Sequence, residues 1–357
     1  MSSIAAQLIR WHGQHGRHFL PWQGTRDPYA IWLSEIMLQQ TQVSTVIPYY
    51  MRFLQQFPNV QSLAKAPLDA VLSLWSGLGY YSRARNLHLA AQEIVQDFQG
   101  QFPSTRTAIE QLPGIGRSTA AAIAVFAFGK QEAILDGNVK RVFARYFGIH
   151  GFTGEANTLR LLWQAAEAAL PANSSSGEIE TYTQALMDLG ATVCTRSVPR
   201  CNACPLQQQC IAWRQKCVDQ LPTPKPRKSL PQKETVMLLI HSSQKLLLQK
   251  RTAKGIWGAL WCPPEIDTDV DSVQHCRIHW GLKVQPPVAL PALDHQFTHF
   301  KLRIYPQLLH AVSEPEVEQP QSIWISPTDA LKQGIPAPVR KLLEQNFTTN
   351  LKPKSPS

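Results

Sequence analysis

Four cysteines, Cys194, Cys201, Cys204 and Cys210, follow one another with the spacing C-x6-C-x2-C-x5-C. Disulfide bonds explain them poorly, because the total of seven cysteines is odd and the chain is not a small cysteine-rich domain. Zinc ribbons usually pair two short knuckles that lie far apart, whereas this segment has only one short knuckle. The spacing therefore favours an iron–sulfur cubane held by four thiolates, with zinc as the alternative.

Composition indicates a polyanionic partner. The 357 residues are enough for two or three domains, and the net charge of +10 with a pI near 9.3 favours nucleic acid. The longest wholly apolar run, Ala120–Phe128, is too short to cross a bilayer, and Met1–Gly16 lacks the apolar stretch of a secretory signal. We therefore expect a cytoplasmic monomer, nucleoid-associated if bacterial, without membrane contacts.

A proline-rich basic segment, PTPKPRKSLPQK at 222–233, separates two differently patterned parts. Its prolines exclude a helix or a central strand, so it predicts an extended linker. Before it, apolar residues recur at helical spacing, as in Leu68–Trp75 and Ala84–Phe98. After it, Thr235–His241 and Lys245–Gln249 predict a β-hairpin. We predict an all-α domain at 1–221, the linker at 222–233, an α+β domain at 234–347 and a disordered tail at 348–357.

The cysteine spacing, near the end of the helical domain, resembles the cluster loop of the endonuclease III superfamily of DNA glycosylases. This resemblance implies one structural 4Fe–4S cluster in the loop 194–210, which braces a basic segment against DNA phosphates. Arg196, Arg200 and Lys216 lie within or beside the loop, as such contacts require. Solvated surface charges would give the same pattern.

The segment LPGIGRST at 112–119 has the signature of a helix-hairpin-helix motif. Gly114 and Gly116 would allow a tight turn and a close approach to a phosphate, whose charge would meet free NH groups at a helix N-terminus. Such a contact holds DNA without selecting bases. Taken alone, the pattern also fits an ordinary turn between helices.

Asp136 opens the segment DGNVKRV, where capping of a helix is the simplest explanation. In the superfamily, however, the aspartate at this place after the hairpin is the catalytic carboxylate. A fixed carboxylate suits cleavage of an N-glycosidic bond, because positive charge develops on the sugar. The lyase branch forms a Schiff base through a lysine in the hairpin, where this chain has Ser118. The resemblance therefore implies a monofunctional glycosylase.

Glu35 stands in the apolar segment IWLSEIML at 31–38. A carboxylate is costly to ionise among hydrocarbon, so its pKa should rise and leave it protonated near neutral pH. A protonated glutamate can act as the general acid that makes a purine a feasible leaving group, for adenine by protonation at N7. A glutamate at the solvent edge of a core helix is the alternative.

Further strings, among them SEIMLQQTQV, GLGYY, LDGNVKRV and QALMDLGA, make residues 18–210 resemble the MutY family of adenine glycosylases. This resemblance implies that Glu35 is the acid and Asp136 the carboxylate that stabilises the cation. It also implies that Trp22 and Gln184 line the adenine pocket. Gln40 and Tyr80 would intercalate where the adenine is extruded, since neither carboxylate can reach a stacked nucleotide.

The C-terminal domain, with GIWGALW at 255–261, resembles the Nudix fold of MutT-like proteins. Around RIHWG at 277–281 it lacks the glutamate-rich box that binds magnesium, so we expect no pyrophosphate hydrolysis. In the MutY family this domain recognises 8-oxoguanine. The family's F-S-H loop corresponds here to Phe297, Thr298 and His299, and threonine keeps the hydroxyl while adding a methyl group.

We therefore predict an all-α helix-hairpin-helix glycosylase domain with an iron–sulfur cluster loop, followed by an α+β Nudix-like domain. The predicted activity is removal of adenine opposite 8-oxoguanine or guanine in double-stranded DNA. An endonuclease III-like glycosylase/lyase acting on oxidised pyrimidines is one alternative. A non-catalytic iron–sulfur protein that binds mismatches is the other.

Overall fold

The computed structural model describes residues 3–226, 229–253, 255–312 and 321–347. Their internal contacts divide the chain into two compact units. The first unit comprises Met1–Lys65 and Asn86–Arg227, and the second comprises Ala66–Arg85 and Lys228–Ser357. The tail predicted at 348–357 lies outside the described residues. The domain bounds 1–221, 222–233 and 234–347 stay a prediction.

The described residues before the linker are helical, as their apolar spacing predicted. Two short 3-10 turns, Cys201–Ala203 and Gln207–Gln209, lie in the cysteine loop. The α-helices are α1 (Ile4–His15), α2 (Pro28–Leu38), α3 (Val43–Gln56), α4 (Val60–Lys65), α5 (Leu68–Trp75), α6 (Ser82–Asp97), α7 (Arg106–Gln111), α8 (Arg117–Phe128), α9 (Gly137–Tyr146), α10 (Ala156–Ala168), α11 (Ser176–Thr192) and α12 (Ile211–Arg214).

Helix α2 is buried because it is apolar on nearly every side. Asp27 caps its N-terminus by accepting a hydrogen bond from the Tyr29 amide at 3.0 Å, and Pro28 occupies the first turn, where its missing NH costs nothing. Trp32 and Leu33 are completely buried. The helix is therefore fixed in position, and so is any polar side chain that it carries.

One hydrophobic core joins α1, α8, α9, α10 and α11. Each of these helices contributes large buried side chains, namely Trp11, Val125, Phe143, Leu162 and Leu189. Helix α11 begins with a capping box, in which Ser175 and Glu178 each accept a hydrogen bond from the other's backbone amide. The packed core holds the start of α9 and the middle of α11 in a fixed relation.

The second unit contains one mixed sheet in its described part. The central pair, β1 and β7, is parallel, and the other pairs are antiparallel. The predicted hairpin is confirmed as β1 and β2, with His241 opposite Leu246. The elements are β1 (Gln232–Ser242), β2 (Lys245–Lys250), β3 (Trp261–Cys262), β4 (Glu265–Ile266), α13 (Ser272–Trp280), β5 (Val288–Ala289), β6 (Leu293–Gln296), β7 (Lys301–His310), β8 (Ser322–Ile325), α14 (Pro327–Ala330) and α15 (Ala337–Phe347).

Helix α5 and the start of α6 belong to the second unit, although they precede the linker by well over a hundred residues. Lys250 forms an ion pair with Asp69 at 2.7 Å, and the Tyr81 hydroxyl donates to the Ile335 carbonyl at 3.0 Å. The second unit is therefore discontinuous in sequence, which helical periodicity does not reveal.

None of the helices in the described residues has the length and apolar character needed to cross a bilayer.

Candidate active site

Glu35 is carried by the buried helix α2. Its neighbours Ser34 and Ile36 are buried, and Glu35 itself keeps only part of its surface exposed. Burial raises the pKa of Glu35 to about 8, and the negative charge of Asp136 is a second, smaller cause. The carboxyl group is therefore protonated at neutral pH, which is the form that a general acid requires.

Asp136 is the N-cap of α9, and its Oδ1 atom accepts a hydrogen bond from the Val139 amide at 2.7 Å. Burial raises the pKa of Asp136, while hydrogen bonds from the Val139 and Asn138 amides and the charge of Arg141 act in the opposite direction. The cap fixes the carboxyl group in position, and these donors favour its ionised form. Capping and chemistry are thus compatible at this residue.

Glu35 and Asp136 line the same open cavity of the first unit, which has a volume of about 930 Å³. Ser118 lines this cavity as well, and its hydroxyl accepts a hydrogen bond from the Leu135 amide at 2.9 Å. That bond ties the hairpin to the residue just before Asp136. The structure therefore brings together two carboxyl groups that are far apart in sequence.

A second cavity of about 360 Å³ is lined by Trp22, Gln184 and Glu35. Its volume lies within the range of roughly 300–1,000 Å³ that is usual for small-ligand sites. Glu35, together with Leu38 and Met187, lines both cavities. The carboxyl group of Glu35 thus stands where the two cavities adjoin, with the predicted base-binding residues on one side and Asp136 on the other.

Gln184 is oriented by Asp188, one turn farther along α11. The Gln184 Nε2 atom donates to Asp188 Oδ1 at 2.9 Å, and the Arg17 amide donates to Asp188 Oδ2 at 2.7 Å. Burial alone would raise the pKa of Asp188, but hydrogen bonds from His12 and Arg17 and the charge of Arg17 hold it below the ordinary value. Because the amide nitrogen faces a carboxylate, the carbonyl oxygen of Gln184 is the group left to accept a hydrogen bond.

The hairpin glycines differ in conformation. Gly114 has φ of +77°, where a Cβ would also come within 2.7 Å of the Asn86 side chain. Gly116 has an ordinary φ of −97° and is the N-cap of α8, and nothing in the described structure lies within 4 Å of where its Cβ would be. No side chain of the described residues caps this helix end. Its amide groups are therefore suited to an external anion.

The four cysteines of the loop line one cavity, each partly buried. The wall between them is mostly apolar, and Arg145 donates to the Cys194 Sγ atom at 3.4 Å. Among the described residues no group of three or more histidine, cysteine or acidic side chains is placed to hold a single metal ion. Four thiols around one cavity form a ligand set that suits either a zinc ion or an iron–sulfur cluster.

The two residues predicted to intercalate share an unusual backbone. Gln40 in the first unit has φ of +57°, and Tyr80 in the second has φ of +48°. Both side chains are exposed. Left-handed conformations of residues other than glycine cost free energy and concentrate at functional sites. Gln40 also lines the cavity that contains Glu35 and Asp136.

Phe297, Thr298 and His299 form the tip of the hairpin between β6 and β7, closed by a hydrogen bond from the Phe297 amide to the Phe300 carbonyl at 2.9 Å. Thr298 and His299 are exposed, while Phe297 is half-buried. The Phe297 ring stacks on that of Phe300 with centroids 4.6 Å apart. At the tip, the packed ring of Phe297 therefore supports two exposed polar side chains, those of Thr298 and His299.

Comparison with known proteins identifies the family. Residues 33–168 match the family model described as HhH-GPD superfamily base excision DNA repair protein, and residues 235–345 match a NUDIX domain. The chain is 38% identical over 351 residues to the adenine DNA glycosylase of Buchnera aphidicola subsp. Acyrthosiphon pisum (strain APS), covering 98% of this chain and 99% of that relative. The chain belongs to the adenine DNA glycosylase family.

Solved structures agree with the fold of this adenine DNA glycosylase family member. A thermostable thymine-DNA glycosylase is 30% identical, with a TM-score of 0.53 over 59% of this chain and 95% of that one. A non-covalent endonuclease III–DNA complex is 20% identical, with a TM-score of 0.50 over 59% and 94% of the two chains. The predicted fold class, a helix-hairpin-helix domain followed by a Nudix-like domain, is confirmed.

Sequence reasoning missed several groups that organise this glycosylase site. Asp188 lies four residues after Gln184, and this helical spacing could have pointed to their contact. Arg17 and Arg141 carry no such signal, because their partners are reached only through the fold. Arg141 of α9 donates to the Gly190 carbonyl at 2.7 Å, which joins α9 to α11, and to the Asn138 side chain of its own helix at 2.8 Å.

The raised pKa of Glu35 predicts a stability effect that depends on pH. Between its ordinary pKa of 4.5 and about 8, Glu35 is ionised in the unfolded chain but protonated in the folded chain, so the free energy of unfolding falls as pH rises. We expect Glu35→Gln to raise the melting temperature at pH 8, with little effect near about pH 5, where both side chains are neutral. Thermal unfolding followed by circular dichroism would measure this difference.

Glu155→Gln is a suitable control, since Glu155 is exposed and makes no side-chain capping bond to α10. Its melting temperature should follow that of the wild type at every pH. A difference between Glu35→Gln and the wild type that stays constant from pH 5 to pH 8 would contradict the raised pKa.

Proposed function

We propose that this chain is a monofunctional DNA glycosylase that hydrolyses adenine from mispairs with 8-oxoguanine or guanine in double-stranded DNA. One observation carries the proposal. Glu35, with a pKa raised to about 8, and Asp136 line the same cavity, and Glu35 also lines the adjoining cavity with Trp22 and Gln184. A nucleotide placed beside Glu35 would present its base to Trp22 and Gln184 and its sugar to Asp136.

Glu35 acts as the general acid. Its protonated carboxyl group donates a proton to N7 of adenine, which converts an anionic leaving group into a neutral one. The proton remains available near neutral pH because burial disfavours the carboxylate. The charge of Asp136 helps, since a second negative charge nearby further disfavours ionisation of Glu35.

Asp136 stabilises the positive charge that develops on the sugar as the glycosidic bond breaks. Amide donors and the charges of Arg141 and Lys140 favour its ionised form against the cost of burial. The two carboxyl groups therefore divide the work, one neutral and one charged, as their different surroundings dictate. Water then attacks the sugar, and the product is an abasic site.

Gln184 supports selection of adenine over guanine. Its amide nitrogen is engaged by Asp188, so its carbonyl oxygen is free to accept from the base. Adenine offers an exocyclic amino donor at the position where guanine carries a carbonyl acceptor. Guanine in this pocket would place two acceptors opposite each other, while Trp22 would contact either base.

Binding to DNA rests on charge and backbone contacts. The net charge of +10 attracts the duplex, and the helix-hairpin-helix turn at Gly114 and Gly116 offers amide groups at the start of α8 to a phosphate. The adenine must leave the base stack to reach Glu35. Gln40 and Tyr80 fill the gap that it leaves in the duplex.

Recognition of 8-oxoguanine is assigned to the hairpin tip at Phe297, Thr298 and His299. The Thr298 hydroxyl and the His299 ring are exposed and can exchange hydrogen bonds with a base, while Phe297 offers an apolar contact. The Nudix-like unit thus serves to recognise the opposite base.

Cys194, Cys201, Cys204 and Cys210 would hold one 4Fe–4S cluster. The fit rests on four thiols around one mostly apolar cavity and on the Arg145 donor to Cys194. When bound, the cluster supplies a rigid cross-link for the loop. Arg145 also donates to the Thr195 carbonyl at 2.7 Å, so the protein braces the loop on its own side.

Substitution of either carboxyl group tests the chemistry. We expect Glu35→Gln to slow single-turnover release of adenine by roughly 10²–10⁴-fold, because the proton donor is lost. Asp136→Asn should slow it by about 10²–10³-fold, since a neutral amide cannot stabilise the cation. In the wild type the rate should fall above pH 8, as Glu35 ionises, and again in acid, as Asp136 becomes protonated.

Both variants should still bind DNA that contains the mispair, and Glu155→Gln should match the wild type in rate. Adenine release that persists undiminished in Glu35→Gln would refute the acid role. If Asp136→Asn yields only unfolded protein and no folded, inactive protein, the result would favour a capping role alone.

Trapping with borohydride separates this proposal from the glycosylase/lyase alternative. An imine between a lysine and the sugar is captured on DNA by reduction, whereas Ser118 cannot form one. Lys225 lines the cavity that contains Asp136, so the wild type and Lys225→Ala should be tested together. We expect no covalent adduct that accumulates at the rate of adenine release. An adduct formed at that rate by both proteins would support the lyase alternative.

Metal analysis tests the cofactor. Protein purified without oxygen should contain iron and acid-labile sulfide in equal amounts, with the broad visible absorption of an iron–sulfur cluster and no stoichiometric zinc. Cys204→Ser should lose most of that iron, while Cys262→Ser, at a buried thiol of the second unit, should retain it. One zinc ion per chain without sulfide would establish the zinc alternative.

A further inference from the structure

Tyr80 and the hairpin tip 297–299 belong to the same compact unit, although more than two hundred residues separate them in sequence. The segment Ala66–Arg85, which ends just after Tyr80, contacts the C-terminal part of the chain along its length. At its start Asp69 pairs with Lys250, and near its middle the Ser73 hydroxyl donates to the Lys332 carbonyl. The final residue, Arg85, contacts the turn at Gly258.

The half-buried side chain of Arg85 donates from Nη1 to the carbonyl of Gly258 at 2.8 Å. This contact lies beside a strained turn, because Trp257 has φ of +55° and Ala259 has φ of +62°. Gly258 between them allows no side chain, since a Cβ would lie 2.4 Å from the Ala253 carbonyl oxygen. Such conformations persist only where the surroundings hold them, and Arg85 is part of those surroundings.

The strained turn presents Trp257 to the hairpin tip. The Trp257 ring lies 5.4 Å from that of Phe297 and 5.8 Å from that of His295, measured between centroids. Trp257 is almost completely buried, so it contributes a fixed surface against which Phe297 packs. A continuous set of contacts therefore runs from Arg85 through Gly258 and Trp257 to Phe297.

We propose that Arg85 is a positioning residue that sets the preference for 8-oxoguanine over guanine opposite adenine, by holding the Gly258 turn so that Trp257 supports Phe297. This inference rests on the proposed function. The Arg85 side chain belongs to the same segment as Tyr80, so the base-recognition tip and the intercalating residue share one support. Arg85 acts through the turn and touches no reacting atom.

Rates of single-turnover adenine release from A:8-oxoguanine and A:guanine duplexes test the proposal. Loss of a charged hydrogen bond should lower the ratio of the two rates roughly threefold to tenfold in Arg85→Ala, mainly by slowing the 8-oxoguanine duplex. Arg85→Lys keeps the charge, so its rate ratio should lie between those of Arg85→Ala and the wild type. Arg277→Ala, which removes an exposed positive charge from the same unit, should leave the ratio unchanged.

A double-mutant cycle separates action through Trp257 from independent effects. If Arg85 acts through the turn, Trp257→Phe should lower the ratio, and adding Arg85→Ala to it should lower the ratio little further. If the double variant instead lowers the rate ratio by the product of the two single reductions, the proposal is overturned. Melting temperatures of all variants, compared with the assay temperature, identify any that are unfolded, and Arg85→Lys keeps the test valid if Arg85→Ala fails to fold.

Salt dependence distinguishes positioning from a direct phosphate contact. Removing a phosphate contact weakens binding to both duplexes alike and reduces the salt slope of the binding constant by about one, whereas a positioning residue leaves that slope unchanged. A reduced slope with an unchanged rate ratio would overturn the proposal.

Phe297→Ala distinguishes failure of this inference from failure of the proposed function. If Phe297→Ala lowers the ratio and Arg85→Ala does not, the role of Arg85 is refuted and hairpin-tip recognition stands. If Phe297→Ala leaves the ratio unchanged, recognition by the hairpin tip itself is refuted, and the role of Arg85 with it. If the wild type releases no adenine from either duplex, the proposed function fails.

Discussion

The proposed chemistry depends on two neighbouring carboxyl groups in opposite protonation states. Glu35 must stay neutral, while Asp136 must carry a negative charge. Glu35 achieves the neutral state by its place on α2, where hydrocarbon on nearly every side replaces the water that would solvate a charge. Asp136 is also buried, but amide donors and nearby basic side chains partly offset that burial. The same low polarity that disfavours ionisation of Glu35 strengthens the attraction of an ionised Asp136 for a developing cation.

The fold supplies this pair of environments through helix ends and helix packing. Asp136 caps the first turn of α9, where the Val139 and Asn138 amides donate to it, and Arg141 of α9 donates to the Gly190 carbonyl of α11. On the other side, Asp188 of α11 fixes Gln184. Helix α11 therefore connects the sugar side of the site to the base side, and a shift of this helix would disturb both at once.

The sequence was sufficient where local pattern determines the outcome. The apolar run around Glu35 anticipated its raised pKa, and the two segments Thr235–His241 and Lys245–Gln249 correctly predicted the β1–β2 hairpin. Local pattern failed where distant segments meet, as at Arg17 with Asp188 or Arg85 with Gly258. The prediction from local pattern was also incomplete in the helix-hairpin-helix motif, where Gly114 and Gly116 were both expected to form the tight turn. Only Gly114 has a positive φ, and Gly116 instead leaves open space at the start of α8.

Because Ala66–Arg85 packs with the C-terminal part of the chain, the two units cannot be separated by one cut at the linker. A fragment ending there would keep Leu72 but lose Gly334, against which it packs, and Ser76 would lose the Ile335 carbonyl. During synthesis α5 is translated long before these partners. Its apolar face therefore stays uncovered until most of the remaining chain has been made. Nascent molecules would therefore need protection of this helix until translation is nearly finished.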